Sequence, residues 1–402
     1  MDMSESYFPL PDSQGGWVIS ESGAANRGKA KVDIVKLDET WEFLKMCTKH
    51  GGLLVLQNGM LVYERYFGKG RRDATPNLAS CGKSFTSIAC GILMAERPER
   101  FPDGLETKVF TPDYLPAEAF PLTDPRKADI RLGQLLAFTA GIRGNNPVYV
   151  DRVARTIEPP GPDGWESNVD LVALGKKDTT DKGVRVSTAT LWCDPGHGYS
   201  YASSSIHLVS LMLHHLTGME LRDFIRTRLA EPMGWGIWGY GYRQNYEPGN
   251  PDRMTHTPGG GGIAVRATDM LRFGYLLLRK GEWNGKQLVP RDYVEHCSRT
   301  SPYNPHSPYS LQFDVNSAGD YPELPRDAFW KHGSGGHCLY VVPSRDLVVW
   351  KLGGRDDQYN PLNTGLPSPP AEENEEERHS WVAQVEPKPA AIQTLKMVLE
   401  AL

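Results

Sequence analysis

A serine hydroxyl becomes a competent nucleophile when a neighbouring base takes its proton, and a base three residues further along a helix shares its face. Ser80-Cys81-Gly82-Lys83 has that spacing, and Ser80 is the one serine in the chain followed three positions later by lysine. The same residues also read as a serine N-cap with a surface lysine in the first helical turn. Their context favours chemistry. A cation in the first turn opposes the helix dipole, and Phe85, Ile88, Ala89, Ile92 and Leu93 continue as the apolar stripe of a buried helix. Burial and the positive helix end both depress an amine's pKa, which gives the neutral form a general base requires. Ser80 is therefore expected as nucleophile and Lys83 as its base.

Two further segments could complete such a site. Pro195 to Ser203 is a turn leading into an amphipathic helix, with Tyr201 and Ser203 at its end. A phenol beside a lysine can pass protons to a leaving group and from an incoming water. The plainer reading makes Tyr201 a packed aromatic and the serines a helix cap, and Tyr199 competes for the same role. Lys331-His332-Gly333-Ser334-Gly335-Gly336-His337 precedes the apolar run Cys338 to Val342. Its glycines would let a backbone approach a substrate and aim an N–H at an oxyanion, the second donor being the amide of Ser80. A flexible hairpin loop is the alternative. Ser203, Lys331, His332, Gly333 and Ser334 are the candidates these two segments offer for contact with a substrate.

The elements that would position these residues follow from periodicity. Trp41, Phe43, Leu44 and Cys47 have helical spacing, and the helix stops near Gly51-Gly52. Leu53–Leu56 and Leu61–Phe67 flank Asn58-Gly59, a hairpin signature. Helical stripes at Ile130–Phe138, Ser204–Leu216, Leu221–Leu229 and Thr268–Leu278 are separated by loops rich in Pro and Gly. Strands are expected at Tyr309–Val315, Cys338–Val342 and Leu347–Leu352, and a final helix at Ala390–Leu402. Strands at both ends with helices between predict an α+β fold, an antiparallel sheet flanked by helices with a mostly helical second domain inserted. Residues 37–79 and 255–402 would form the discontinuous sheet domain and 80–254 the helical one. Residues 1–36 read as an N-terminal arm, and the Pro- and Glu-rich 355–380 as a solvated insertion.

The three motifs in this order resemble the serine beta-lactamase and penicillin-recognising superfamily, especially its class C-like branch of esterases, D-aminopeptidases and nylon-oligomer hydrolases. Ser80-x-x-Lys83 matches the first motif, and Tyr201-x-Ser203 resembles Tyr-x-Asn with serine in place of asparagine. Lys331-His332-Gly333 resembles Lys-Thr-Gly, although an ungapped alignment of Gly335-Gly336 would put Trp330 in the leading place. Ile130 to Gly141 is similar to the family's Leu-Leu-x-x-Thr-Ser-Gly segment, and Gly261-Gly262 to Phe273 to its Gly-Gly turn and helix. The resemblance implies a beta-lactamase-like fold and an acyl-enzyme mechanism in which Tyr201 relays protons. Serine at 203 removes an amide that lactamases place around the substrate, so lactam hydrolysis is disfavoured.

Composition excludes other classes. The 44 basic and 49 acidic residues among 402 leave a net charge of −5, without the basic surface that nucleic acid demands. No apolar run approaches the roughly 20 residues of a membrane span. The N-terminus has acids and prolines where a secretory signal would be basic and then apolar, so a cytoplasmic location is expected. The six cysteines lack a C-x-x-C pair. His214-His215 has no acidic partner at ligand spacing along the sequence, and no metal or organic cofactor is expected. Of ten tryptophans, Trp165, Trp192, Trp235, Trp238 and Trp330 could line a pocket or pack in the core. The expected function is hydrolysis of a small carboxylic ester or amide through a Ser-Lys-Tyr acyl-enzyme. The alternatives are acyl transfer on the same scaffold and a noncatalytic ligand-binding or sensor protein.

Overall fold

Runs such as Leu53–Leu56 and Leu347–Trp350 are apolar at every position, as strands are when both faces of their sheet are covered. In the computed structural model, which describes residues 7–19, 32–181, 183–364, 366 and 384–402, these runs join one six-stranded antiparallel sheet. Its strands are β1 (Gly51–Gln57), β2 (Met60–Phe67), β3 (Asp314–Val315), β4 (Phe329–Gly333), β5 (His337–Val342) and β6 (Leu347–Leu352), in the order β3-β4-β5-β6-β1-β2. The β1–β2 turn places Asn58 at φ 51° and Gly59 at φ 76°, as an Asn-Gly hairpin requires. β1 and β6 join distant parts of the chain, with Leu54 opposite Trp350 and Val55 opposite Val349.

Side-chain alternation divides the strands between two cores. Leu53, Val55, Tyr340 and Val349 pack with Trp41 and Leu44 of α1 (Ile34–Cys47) and with Leu395 and Val398 of the C-terminal α5 (Pro387–Glu400). Leu54, Val341, Val348 and Trp350 face α2 (Gly82–Glu96) and α4 (Ala267–Leu278). There Phe85 stacks on Phe273 at 3.9 Å between centroids. Every residue of α2 from Gly82 to Leu93 is buried, so the helix is enclosed on all sides rather than along one stripe. On one side it meets α3 (Ser203–Thr217).

Several expectations need correction. The segment between α2 and α4 carries short strands at Asn145–Val150, Val153–Arg155, Thr179–Asp181, Val184–Val186 and Tyr199–Tyr201, whose polar sequences give little periodic signal. Tyr309–Phe313 is not a strand. Gln312 has φ 70° and Ser310 N–H bonds back to Phe313 O at 2.8 Å, turning the chain while burying Tyr309, Leu311 and Phe313. Conversely, Phe329–Gly333 is a true strand, although Lys331 and His332 interrupt its apolar pattern.

Residues 7–19 lie along α4. Its fully buried Arg272 donates to Pro9 O at 3.0 Å and pairs with Asp12 at 3.0 Å, while Tyr275 Oη donates to Tyr7 O at 2.8 Å. The rest of the expected arm falls largely outside the described residues. The expected insertion at 355–380 is not solvated throughout: Asp356–Tyr359 is a 3₁₀ turn with Gln358 and Tyr359 buried. Gln358 Nε2 bonds to Asn77 O at 2.8 Å and to Ser334 O at 2.9 Å, which explains why a polar residue enters the interior. The acidic run within 367–383 is outside the described residues. Among the described residues no helix is long and apolar enough to cross a membrane.

Candidate active site

The turn carrying Ser80 is constrained from several directions. Ala79 adopts φ 48°, a conformation that costs a non-glycine residue energy and persists only when its neighbours hold it. Here Asn77 Oδ1 accepts the Ala79 N–H at 2.9 Å, and Ala79 O accepts the Gly262 N–H at 3.0 Å. A Cβ on Gly82 would lie 2.9 Å from Gly261 Cα, so the start of α2 can meet this loop only without a side chain there.

The capping alternative fails. The residue that caps α2 is Cys81, which makes no side-chain capping bond, and Lys83 is 1% exposed. Lys83 Nζ lies 2.8 Å from Ser80 Oγ and donates to the Gly260 carbonyl. Burial pushes the amine below the ordinary lysine value; Tyr201 opposes this and Lys331 adds to it. A neutral amine bonded in this way can give one hydrogen to Gly260 and still offer its lone pair to the serine hydroxyl.

Tyr201 ends a strand paired with Asn145–Val150 and sits beside both lysines. Lys331 Nζ donates to Tyr201 Oη at 3.1 Å, and Lys83 Nζ lies 5.1 Å from the centre of the Tyr201 ring. Burial alone would raise the phenol, but Lys331, then Lys83, His332 and a hydrogen bond with Ser80 bring it down to about 7. Phe138 packs edge-on against Tyr201 at 4.9 Å. The rival Tyr199 is packed among Phe138, Tyr149 and Tyr309, and burial raises its phenol well above the ordinary value.

Strand alternation sends Trp330 and Lys331 to opposite faces of the sheet. Trp330 points to the core shared with α1 and α5, where it packs on Tyr321 at 5.3 Å, whereas Lys331 points to Tyr201. His332 is half-exposed, with Nδ1 3.0 Å from Asp314 Oδ2. A Cβ on Gly333 would fall 2.3 Å from Leu78 O and 3.3 Å from Cys81 N, so β4 runs directly against the nucleophile turn. Ser334 is exposed on the following turn, its Oγ accepting from Arg355 at 3.1 Å. Ser203 is buried at the first position of α3, against the Gly260 backbone.

Three contributors escaped sequence reasoning. Tyr309 Oη accepts a second bond from Lys331 at 2.8 Å and donates to Gln312 Oε1 at 3.0 Å. Asn168 Oδ1 accepts the Gly260 N–H at 2.8 Å, fixing the peptide whose carbonyl meets Lys83. Gly260 itself acts through its backbone, which carries no residue-type signal. Trp330 is buried in the core, and the half-buried Trp235 packs edge-on against Phe85 at 5.6 Å.

Comparison with known proteins identifies the family and the fold. The family model described as Beta-lactamase matches residues 48–358. A search of curated proteins found no match. Among solved structures, a protein described as a 6-aminohexanoate-dimer hydrolase from Bacillus anthracis is 20% identical, with a TM-score of 0.57 over 99% of this chain and 89% of that one. A penicillin-binding protein homologue from Caulobacter crescentus is 13% identical, with a TM-score of 0.59 over 92% of this chain and 97% of its own. EstCE1, described as a hydrolase with promiscuous acyltransferase activity, is 15% identical, with a TM-score of 0.57 over 82% and 96%. At these identities the likeness is one of fold.

Proposed function

Because the chain belongs to the Beta-lactamase family, we propose that it is a serine hydrolase that cleaves a carboxylic ester or amide through a covalent acyl-enzyme at Ser80. The observation that carries this reading is the 2.8 Å contact between Ser80 Oγ and a buried, pKa-lowered Lys83. In the acylation step Lys83 takes the hydroxyl proton as Oγ bonds to the substrate carbonyl carbon. The N–H of Ser80 and a backbone N–H of the turn after β4 would stabilise the oxyanion, each worth about 3 kcal/mol of barrier. As the tetrahedral intermediate collapses, the carbon–oxygen or carbon–nitrogen bond breaks and Tyr201 gives its proton to the departing group. Lys83, bearing the serine's proton, restores that of Tyr201. A water then attacks the ester of Ser80, passing one proton through the same pair back to Oγ.

Lys331 belongs in this scheme as the cation that keeps the Tyr201 proton mobile near neutrality, and its bond to Tyr309 keeps it in place. His332, Gly333 and Ser203 would line the substrate channel. Acyl transfer is the competing outcome of the second step, suggested by the printed description of EstCE1. Product analysis with added alcohol separates it from hydrolysis.

The test is labelling with a fluorophosphonate, read by intact mass, together with turnover of short-chain esters, linear amides, D-amino-acid amides and beta-lactams. One adduct per chain, absent in Ser80→Ala, with turnover of an ester or amide, is expected. A folded protein that takes no label and turns over none of the panel would instead be a binding or sensor protein.

A further inference from the structure

Outside the Ser80 site, the fold brings together three side chains that the sequence holds apart. His214 lies in the last turn of α3, and Gly218, at φ 70°, ends that helix and turns the chain so that Glu220 comes back beside it. His256 arrives from the segment before Gly259-Gly260. One ligand atom from each of His214, Glu220 and His256 lies within 4.8 Å of the other two. Glu220 Oε1 is 2.8 Å from His256 Nδ1 and 3.5 Å from His214 Nδ1, and the imidazole centroids are 4.2 Å apart. Glu220 thus supplies the acidic partner that no residue at ligand spacing in the sequence provides.

The surrounding bonds orient these atoms toward one another. Thr257 N–H and Oγ–H donate to Glu220 Oε2 at 2.7 and 2.8 Å, leaving Oε1 to face the imidazoles. Behind His256, Asp170 Oδ2 stands 3.7 Å from Nε2, beyond hydrogen-bond distance, and accepts the Thr255 hydroxyl. His256 Nδ1 and Glu220 Oε1 share a 2.8 Å hydrogen bond, which a cation held by both atoms would replace. His214 Nδ1 is a buried nitrogen without a hydrogen-bond partner, on the same side. A tetrahedral zinc ion with bonds of about 2.0–2.2 Å separates its ligand atoms by about 3.4 Å; the 3.5 Å between Glu220 and His214 matches this, and the 2.8 Å between Glu220 and His256 would open by about 0.6 Å.

We propose that His214, Glu220 and His256 form a binding site for one divalent transition-metal ion, with zinc the best match. Two imidazoles and one carboxylate suit zinc and its neighbours and disfavour magnesium and calcium, which take oxygen ligands. The residues open on a cavity of about 830 Å³, which gives an ion a path in and leaves room for water or an exogenous ligand at the remaining coordination position. The site has a structural connection to the nucleophile region. Asp170 Oδ1 lies 3.0 Å from His207 Nε2, and His207 Nδ1 accepts the N–H of Gly259 at 3.1 Å, next to the Gly260 carbonyl that receives Lys83.

The test uses the full chain stripped with chelator, then titrated with zinc chloride by calorimetry and with cobalt(II) by visible absorption. Binding of one ion per chain with micromolar or tighter affinity, a rise in melting temperature on adding zinc, and cobalt bands of a nitrogen- and oxygen-ligated ion are expected. Glu220→Gln, which keeps the side-chain shape, and His256→Ala should each weaken zinc by about 100-fold or more. His215→Ala, one position along and exposed, should bind as the parent does. Ser80→Ala should also bind zinc fully, which separates this site from the hydrolase reading. Absence of binding up to about 1 mM zinc, or tight binding that survives in folded Glu220→Gln, would overturn the proposal.

Discussion

Lys83 has a carbonyl on one side and a hydroxyl on the other, in an interior that disfavours its charge. Ser80→Ala should lose turnover by about 10³-fold or more with an unchanged melting temperature, measured by ester hydrolysis and thermal unfolding. The Tyr201 proton gives a sharper test. With the phenol lowered to about 7, chiefly by Lys331 acting against burial, kcat/KM should show a limb near that pH. Replacing Lys331 by Met removes the strongest opposing charge, so the limb should move to higher pH by about a unit or more. A limb that stayed in place would mean that Lys331 does not govern that proton. Ser80 and Lys83 were legible as a pair because a spacing of three across the turn that opens α2 fixes their relation. Tyr309 was not, because its contact with Lys331 depends on how two distant segments cross.

At the scale of elements, the nucleophile turn depends on how closely β4 and the Gly260 loop approach it. Gly333→Val places a branched side chain where even a Cβ would be 2.3 Å from Leu78 O. Turnover should fall by about 100-fold or more, with stability lower by about 1–3 kcal/mol in urea unfolding. The turn between β4 and β5 also carries a pH dependence. His337 is buried at the start of β5, accepts the Gly353 N–H at 3.0 Å, and is held neutral by burial and then by Arg355, with its pKa lowered from 6.5 to about 3. The unfolded chain therefore binds this proton more readily. The stabilisation is complete above pH 6.5 and is lost as pH falls toward about 3. Urea midpoints should drop across that window, and His337→Gln should flatten the drop; an identical drop in the variant would remove His337 as the cause. The β1–β2 hairpin and β5 and β6 could be read from apolar runs and turn residues. β4 was hidden because its inward lysine serves the site instead of the core.

For the whole molecule, Arg272 is the buried charge that joins α4 to residues 7–19. It meets Asp12 at 3.0 Å and Asp269 at 3.3 Å. Arg272→Met should cost about 3 kcal/mol in denaturant unfolding, because it leaves Asp12 and the buried Asp269 to share a single cation, Arg266. A loss below about 1 kcal/mol would show that residues 7–19 are held by their apolar contacts, Trp17 foremost. The α+β class was legible from the order of periodic segments, but the docking of the N-terminal segment was not, since Pro, Gly and charge give no period. The pairing of β1 with β6 has a consequence for synthesis: Leu54 leaves the ribosome long before its partner Trp350 exists. Until then β1 and β2 are an incomplete ribbon in which the β1 edge, later covered by β6, is also open. The nascent chain must therefore keep that edge from foreign strands, by helical shelter or by a chaperone, throughout most of translation.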